Sequence, residues 1–138
     1  MEARAKVDRL ALAGRCALVR GDFFDHPFEH EAYDTALVGF FLSHLTEIQE
    51  PVLFEALRTM LGTSGRFLIL DSAWSPQRAT VNHKIEHQPR RLNDGTEFEI
   101  YKRYCDRDDL ARWAATYGVA LHVEHFGAAF YAVSAAFV

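Results

Sequence analysis

Residues 33–71 read YDTALVGFFLSHLTEIQEPVLFEALRTMLGTSGRFLILD. Tyr33 to Phe41 is nearly continuous apolar sequence, the pattern of a strand buried on both faces of a parallel sheet. Thr46 is an N-cap for a short first turn, and Pro51 suits the start of a helix proper running to about Leu61. Leu53, Ala56, Leu57, Met60 and Leu61 share one stripe at helical spacing. Gly62-Thr-Ser-Gly65 closes that helix, and Arg66-Phe-Leu-Ile-Leu70 is a second buried strand ending at Asp71. Short apolar strands alternating with amphipathic helices predict an α/β fold with a parallel sheet.

The flanking sequence extends this pattern. Residues 2–13 (EARAKVDRLALA) carry Val7, Leu10 and Ala11 at helical spacing, with Gly14 as a stop. Cys16-Ala-Leu-Val-Arg-Gly21 is apolar enough for a buried strand, with Asp22 at its end, and 25–31 with Pro27 reads as a loop. Residues 73–97 are polar and contain the turn Asn93-Asp94-Gly95. Phe98 to Tyr104 alternates, with Phe98, Ile100 and Lys102 on one side and Glu99, Tyr101 and Arg103 on the other. Asp106 caps a helix to about Tyr117, with Asp109 in its first turn and Gly118 at its end. Val119 to Phe126 and Ala128 to Phe137 are two strands so close in sequence that they must form an antiparallel hairpin.

Composition bounds the function. The chain has 138 residues, 49% of them hydrophobic and 25% charged, which fits one globular domain spanning 1–138. No apolar run approaches the ~20 residues of a membrane helix, and the first 20 residues hold no signal-peptide block. A formal net charge of -4 argues against a dedicated nucleic-acid module, which needs a basic footprint. The two cysteines, Cys16 and Cys105, form no CxxC pair and are expected as reduced thiols in the cytoplasm. No GxxxxGK[ST] loop is present, which disfavours nucleotide hydrolysis.

Four segments in order carry a family resemblance. Val19-Arg-Gly-Asp-Phe-Phe-Asp25 resembles the third strand and acidic turn of class I S-adenosylmethionine-dependent methyltransferases. Tyr33 to Leu45 resembles their fourth strand and the turn beyond it. Leu57 to Leu70 (LRTMLGTSGRFLIL) is similar to their helix, Pro-Gly-Gly turn and fifth strand, with Gly62-Thr-Ser-Gly65 in place of that turn. Arg91 to Tyr104 (RLNDGTEFEIYKRY) resembles a segment of one bacterial group of small methyltransferases. The resemblance implies a Rossmann-like methyltransferase sheet, mostly parallel with a C-terminal antiparallel hairpin. The glycine-rich GxGxG loop and the acidic residue of the next strand have no counterpart here, so the N-terminal strands are expected to be missing. An exposed edge at 17–20 or 35–39 then invites a homodimer by strand addition or exchange.

The resemblance also implies S-adenosylmethionine as cofactor, a small-molecule methyl acceptor, and site residues. Asp22 and Phe23 match the adenine site, where a carboxylate accepts from the adenine amino group and an aromatic packs on the ring. The other reading of Asp22 is a loop acid at a strand end. Gly39 and Phe40 lie at the tip of the next strand, Phe41 following, and are either cofactor wall or plain core. His44, after Ser43, is the acid/base candidate, since its unperturbed pKa suits proton removal near neutral pH. A backbone-satisfied cap histidine is the alternative. Trp74 and Arg91, with Arg90, are candidates for binding an anionic substrate, against a default of surface charge. His83 and His87 share one helix face if that segment is helical, but HKIEH is not HExxH, and no metal site is expected. His26 and His30 sit in a loop; His122 and His125, three apart on a strand, point to opposite faces. The expected activity is methyl transfer to a small molecule. The alternative is a non-catalytic methyltransferase-like module completed by a partner or a second copy.

Overall fold

The computed structural model describes residues 2–138. In chain order the elements are Glu2–Arg9 (α1), Thr35–Gly39 (β1), a 3₁₀ turn Leu42–His44, Gln49–Leu61 (α2) and Arg66–Ser72 (β2). There follow a 3₁₀ turn Arg78–Thr80, Ile85–Arg91 (β3), Glu97–Arg103 (β4), Arg107–Tyr117 (α3), Val119–Phe126 (β5) and Phe130–Phe137 (β6). A four-stranded sheet runs β1-β2-β6-β5, and β3-β4 form a separate ribbon. β1 and β2 are parallel, with Thr35 opposite Arg66 and Gly39 opposite Leu70, as the strand–helix–strand reading of 33–71 requires. β6 pairs antiparallel with both β2 and β5, so the sheet is mixed and its parallel part is a single pair.

Helix α3 begins and ends where its sequence dictates. The Asp106 carboxylate accepts from the Asp109 N–H, and the Asp109 carboxylate accepts from the Asp106 N–H, both at 3.0 Å. Such a reciprocal box satisfies two of the orphan donors of a helix N-terminus. Gly118 ends the helix at φ 58 and ψ 56, a left-handed conformation that costs glycine little. Gly62 does the same for α2 at φ 60 and ψ -153, outside what a side chain tolerates.

Both long helices pack on one face of the sheet. Leu53, Phe54, Leu57 and Leu61 of α2 and Leu110 and Trp113 of α3 are buried with Phe67, Ile69, Tyr131, Val133 and Phe137. Each such large side chain contributes about 1.5–3 kcal/mol by leaving water. The opposite face carries Leu37, Leu68, Leu70, Ala132, Ser134 and Ala136, none of them fully buried. α1 buries no residue. Leu37 is 69% exposed, so β1 is buried on one face only, contrary to the two-sided burial its sequence suggests.

Other expectations are corrected. Residues 16–21 form no strand, and Val19 is 73% exposed. An apolar run becomes a strand only when a neighbour pairs with it, and this segment has no such neighbour among the described residues. The N-terminal helix stops at Arg9 rather than 13. Ala11 takes φ 53, with Leu12 N–H donating to the Val7 carbonyl and Ala11 N–H to that of Asp8, a Schellman ending reached before Gly14. Residues 85–91, read as polar turn chemistry, are strand β3. They pair with β4 around Asn93-Asp94-Gly95, where Asp94 accepts from the Thr96 N–H. His87 lies on this strand and His83 in the loop before it, so they share no helix face. A bulge at Glu124 puts His122 opposite Ser134 and His125 opposite Ala132, hence both on one face rather than two.

One buried carboxylate joins three elements. Glu50, in the first turn of α2, is 2% exposed. It accepts from Arg112 at 2.8 and 3.1 Å and from the Tyr117 hydroxyl at 2.7 Å, both on α3, and from Arg103 at the end of β4. Burial pushes its pKa up, but the Arg112 and Tyr117 hydrogen bonds and the Arg103 charge outweigh burial and hold it at about 2. The unfolded chain, with a pKa near 4.5, therefore binds more protons between pH 4.5 and 2, and stability falls as pH drops through that window. The loss amounts to on the order of 3 kcal/mol. Urea unfolding across this range is expected to show that acid limb in the native chain and a shallower one in Glu50→Gln. An unchanged limb in the variant would remove Glu50 as its source.

Candidate functional site

The C-terminal ends of β1 and β2 lie side by side. Gly39 ends β1, and Phe40 continues the ladder by donating its N–H to the Leu70 carbonyl at 2.8 Å. Phe40 has φ 51, a left-handed conformation unusual for a bulky residue and costing about 1–2 kcal/mol. Its ring, half exposed, meets Phe130 edge-on at 5.6 Å. The strain turns the chain into the 3₁₀ turn that carries Ser43 and His44.

Strand β4 grips that turn and the start of α2 with three successive residues. The Tyr101 carbonyl accepts from His44 Nδ1 at 2.9 Å. Lys102 Nζ donates to Ser43 Oγ at 2.6 Å, and Arg103 donates to Glu50. Asp71, buried at the end of β2, accepts from the Ser43 N–H at 2.9 Å and lies 3.8 Å from Lys102 Nζ. Because a carbonyl only accepts, His44 carries its proton on Nδ1 and leaves Nε2 with a lone pair. His44 is thus satisfied by the backbone of β4, and also holds the tautomer that a base requires at Nε2.

Asp22 and Phe23 sit in the loop before β1. Asp22 is exposed, and its Oδ1 accepts from the Phe24 N–H at 2.9 Å, leaving Oδ2 without a partner among the described residues. Phe23 packs on Phe28 at 5.0 Å and on Phe41 at 5.2 Å. It is the shared wall of two grooves. One, of about 310 Å³, is bordered by Val19, Gly21, Asp22 and His26. The other, of about 410 Å³, is bordered by Tyr33, Phe41 and every residue of β1 including Gly39. Asp22 and Gly39 therefore border adjoining grooves, with Phe23 and Tyr33 common to both. Because the second groove follows the whole of β1, it runs along the strand's unpaired edge.

Trp74 and Arg91 are not brought together. Trp74 follows β2, its N–H donating to the Cys105 carbonyl and its ring lying 6.0 Å from Tyr104. Arg91 is exposed at the far end of the ribbon, 4.0 Å from Glu97, with the length of β4 (~20 Å of extended chain) between Glu97 and Tyr104. Strand alternation explains which arginine shares a face with Gln88 and Lys102. Glu86, Gln88 and Arg90 pair opposite Lys102, Ile100 and Phe98 on one face, and Arg91 falls on the other. Arg90 donates to Gln88, and Gln88 donates to the Tyr104 hydroxyl at 2.8 Å. Asp71, Lys102 and Phe130 were not singled out from sequence. An acidic residue closing a buried strand was the available signal for Asp71, and a paired β3 would have placed Lys102.

Comparison with solved structures settles the architecture. DhpI in complex with SAM and HEP superposes with a TM-score of 0.78 at 20% identity, over 97% of this chain and 63% of that one. The glycopeptide N-methyltransferase MtfA gives 0.65 at 17% identity, over 99% and 69%. The 1,6-didemethyltoxoflavin-N1-methyltransferase of Burkholderia thailandensis, solved with bound 1,6-didemethyltoxoflavin and S-adenosylhomocysteine, gives 0.68 at 13%, over 99% and 56%. The chain has the fold of S-adenosylmethionine-dependent methyltransferases. It spans less than two thirds of the DhpI chains it matches. No protein-family model and no curated protein matches the sequence.

The His44 geometry yields a direct measurement. Long-range proton–nitrogen NMR on the native chain at neutral pH is expected to find the neutral His44 ring protonated at Nδ1. A ring protonated at Nε2 would break the contact to Tyr101 and with it the geometry described here.

Proposed function

We propose that this domain belongs to an enzyme that transfers a methyl group from S-adenosylmethionine to a small-molecule acceptor. The observation that carries this reading is the pair of parallel strand ends at Gly39 and Asp71 within a methyltransferase fold, beside an acidic-aromatic loop at Asp22 and Phe23. Ligands of open α/β sheets bind outside the carboxyl ends of such strands. When bound, the cofactor supplies a sulfonium methyl open to in-line displacement.

The residues present fit one end of that cofactor. Asp22 Oδ2 is free to accept from an adenine amino group, and Phe23 offers a ring face beside it. Gly39, lacking a side chain, and Phe40 border the approach from β1. The methionine end does not find its usual partners, because no pair of glycines is spaced as GxGxG and no equivalent acid follows. His44 Nε2 is the group placed to take a proton from an acceptor hydroxyl or amine. Trp74 lines the acceptor side, whereas Arg91, on the outer face of the ribbon, binds an acceptor only at its rim.

A second reading concerns assembly, and the groove along the unpaired edge of β1 favours it. Leu37 and the free backbone of Thr35–Gly39 offer a template for an added strand. A second copy pairing β1 to β1 buries that edge in a homodimer. Two reduced thiols, Cys16 exposed and Cys105 buried, suit a cytoplasmic setting. No helix of the described residues is long and apolar enough to cross a membrane.

Two measurements test these readings. NMR titration of the 138-residue chain with S-adenosylhomocysteine is expected to give weak, saturable shifts at Asp22 and Phe23, weaker than micromolar and lost in Asp22→Ala. No saturable shift up to millimolar ligand would overturn the adenosyl assignment. Light scattering behind size exclusion is expected to give twice the chain mass at high concentration, and a clean monomer there would overturn β1 pairing.

A further inference from the structure

Two cations lie by one aromatic ring beyond the end of β2, and a third is linked to its hydroxyl through a glutamine. The Arg78 guanidinium lies over the Tyr104 ring at 4.3 Å, and Lys102 Nζ lies 5.6 Å from the same ring. Arg90 reaches the Tyr104 hydroxyl through Gln88. Trp74 stands beside Tyr104. Other cations of the same ribbon and of α3 sit on carboxylates: Lys84 on Asp106 and Asp109, and Arg103 and Arg112 on Glu50. Here Arg78 donates only to the Ala73 and Ala129 carbonyls and the nearby Ser75 accepts from its main chain, while Arg90 donates only to Gln88 and Pro89. Neither arginine forms an ion pair among the described residues.

The anions close by do not balance this charge. Asp71 lies 3.8 Å from Lys102 and is already engaged by the Ser43 and Ser72 N–H groups. Glu86 accepts from Asn82, His83 and Gln88, and from none of the three cations. Burial first, and then the charges of Arg78 and Arg90, lower the pKa of Lys102 against the opposing pull of Asp71. Lys102 has Asp71 as its counter-charge, whereas Arg78 and Arg90 have none among the described residues, and a bound anion relieves the cost of holding the three like charges close. Guanidinium groups match the planar oxygens of carboxylate and phosphate.

We propose that Arg78, Arg90 and Lys102, gathered round Tyr104 beside Trp74, bind a small oxyanion, the carboxylate or phosphate of the methyl acceptor. Arg90 is the outermost of the three and makes first contact, while Arg78 is fixed by its two carbonyls and Tyr104. The ribbon β3-β4 thereby sets acceptor class by charge, and His44, held by the neighbouring residue Tyr101, is kept on the same corner. The word acceptor rests on the methyl-transfer reading; capture of the anion does not, and it is measured without cofactor.

Titration of the ¹⁵N-labelled full chain with acetate, inorganic phosphate and acetamide, at constant ionic strength, tests this. Acetate and phosphate are expected to shift the Trp74 indole N–H and the Arg90 Nε–H saturably, and acetamide, of the same shape without charge, to shift neither. Arg90→Gln, at an exposed position, is expected to weaken the anions at least tenfold, and Arg66→Gln, at the opposite end of β2, to leave them within twofold. Equal responses to acetate and acetamide, no saturable shift, or equal losses in the two variants would overturn the site. Anion capture that persists where S-adenosylhomocysteine fails to bind would sustain the site while removing the methyl-transfer reading.

Discussion

The Glu50 carboxylate is the point at which the molecule is tied. It lies where the helix N-terminal dipole favours negative charge, and its donors come from α3 and the end of β4. Helix α2 is thereby fixed to α3 on one side and to the ribbon on the other. A buried ion pair is not by itself evidence of extra stability, because hydrophobic replacements of the whole set often do as well. Breaking one partner is different, since it strands a charge in the core at about 3–5 kcal/mol. What the network provides is placement: with the contacts of β4 to the 3₁₀ turn at Leu42–His44 and to Asp71, it holds the ribbon over the strand ends.

The parts of the fold legible from sequence were those specified locally. The box at Asp106 and Asp109, the left-handed Gly118, the stripe on α2 and the β5-β6 hairpin each depend on residues a few positions apart. The errors fell where a segment's state depends on something distant. Residues 16–21 have strand composition but no strand to pair with. Residues 85–91 have loop composition, with Pro89 and two arginines, yet form a strand because β4 supplies the partner. Pro89 is tolerated there because a two-stranded ribbon has free outer edges.

The same distinction runs through the site. Gly39 and His44 are candidates from sequence because they follow a strand, where ligands of such sheets gather, and Asp22 because its segment resembles an adenine-binding turn. Lys102, Asp71 and Tyr104 could not, because their juxtaposition is made by the ribbon folding back over the sheet. The choice between Arg90 and Arg91 turned on one strand's parity, which only the pairing of β3 with β4 fixes.

The triplet Tyr101-Lys102-Arg103 also acts as a ruler. Its carbonyl, ammonium and guanidinium meet His44, Ser43 and Glu50, so only one alignment of β4 against the turn satisfies all three. A slip by a single residue would aim the tyrosine ring where the ammonium belongs, swing both basic heads to the wrong side, and leave Glu50 and Asp71 as naked charges in oil. That penalty makes misaligned ribbons self-eliminating, and it means that an insertion anywhere in 97–103 would silence the corner while leaving the four-stranded sheet standing.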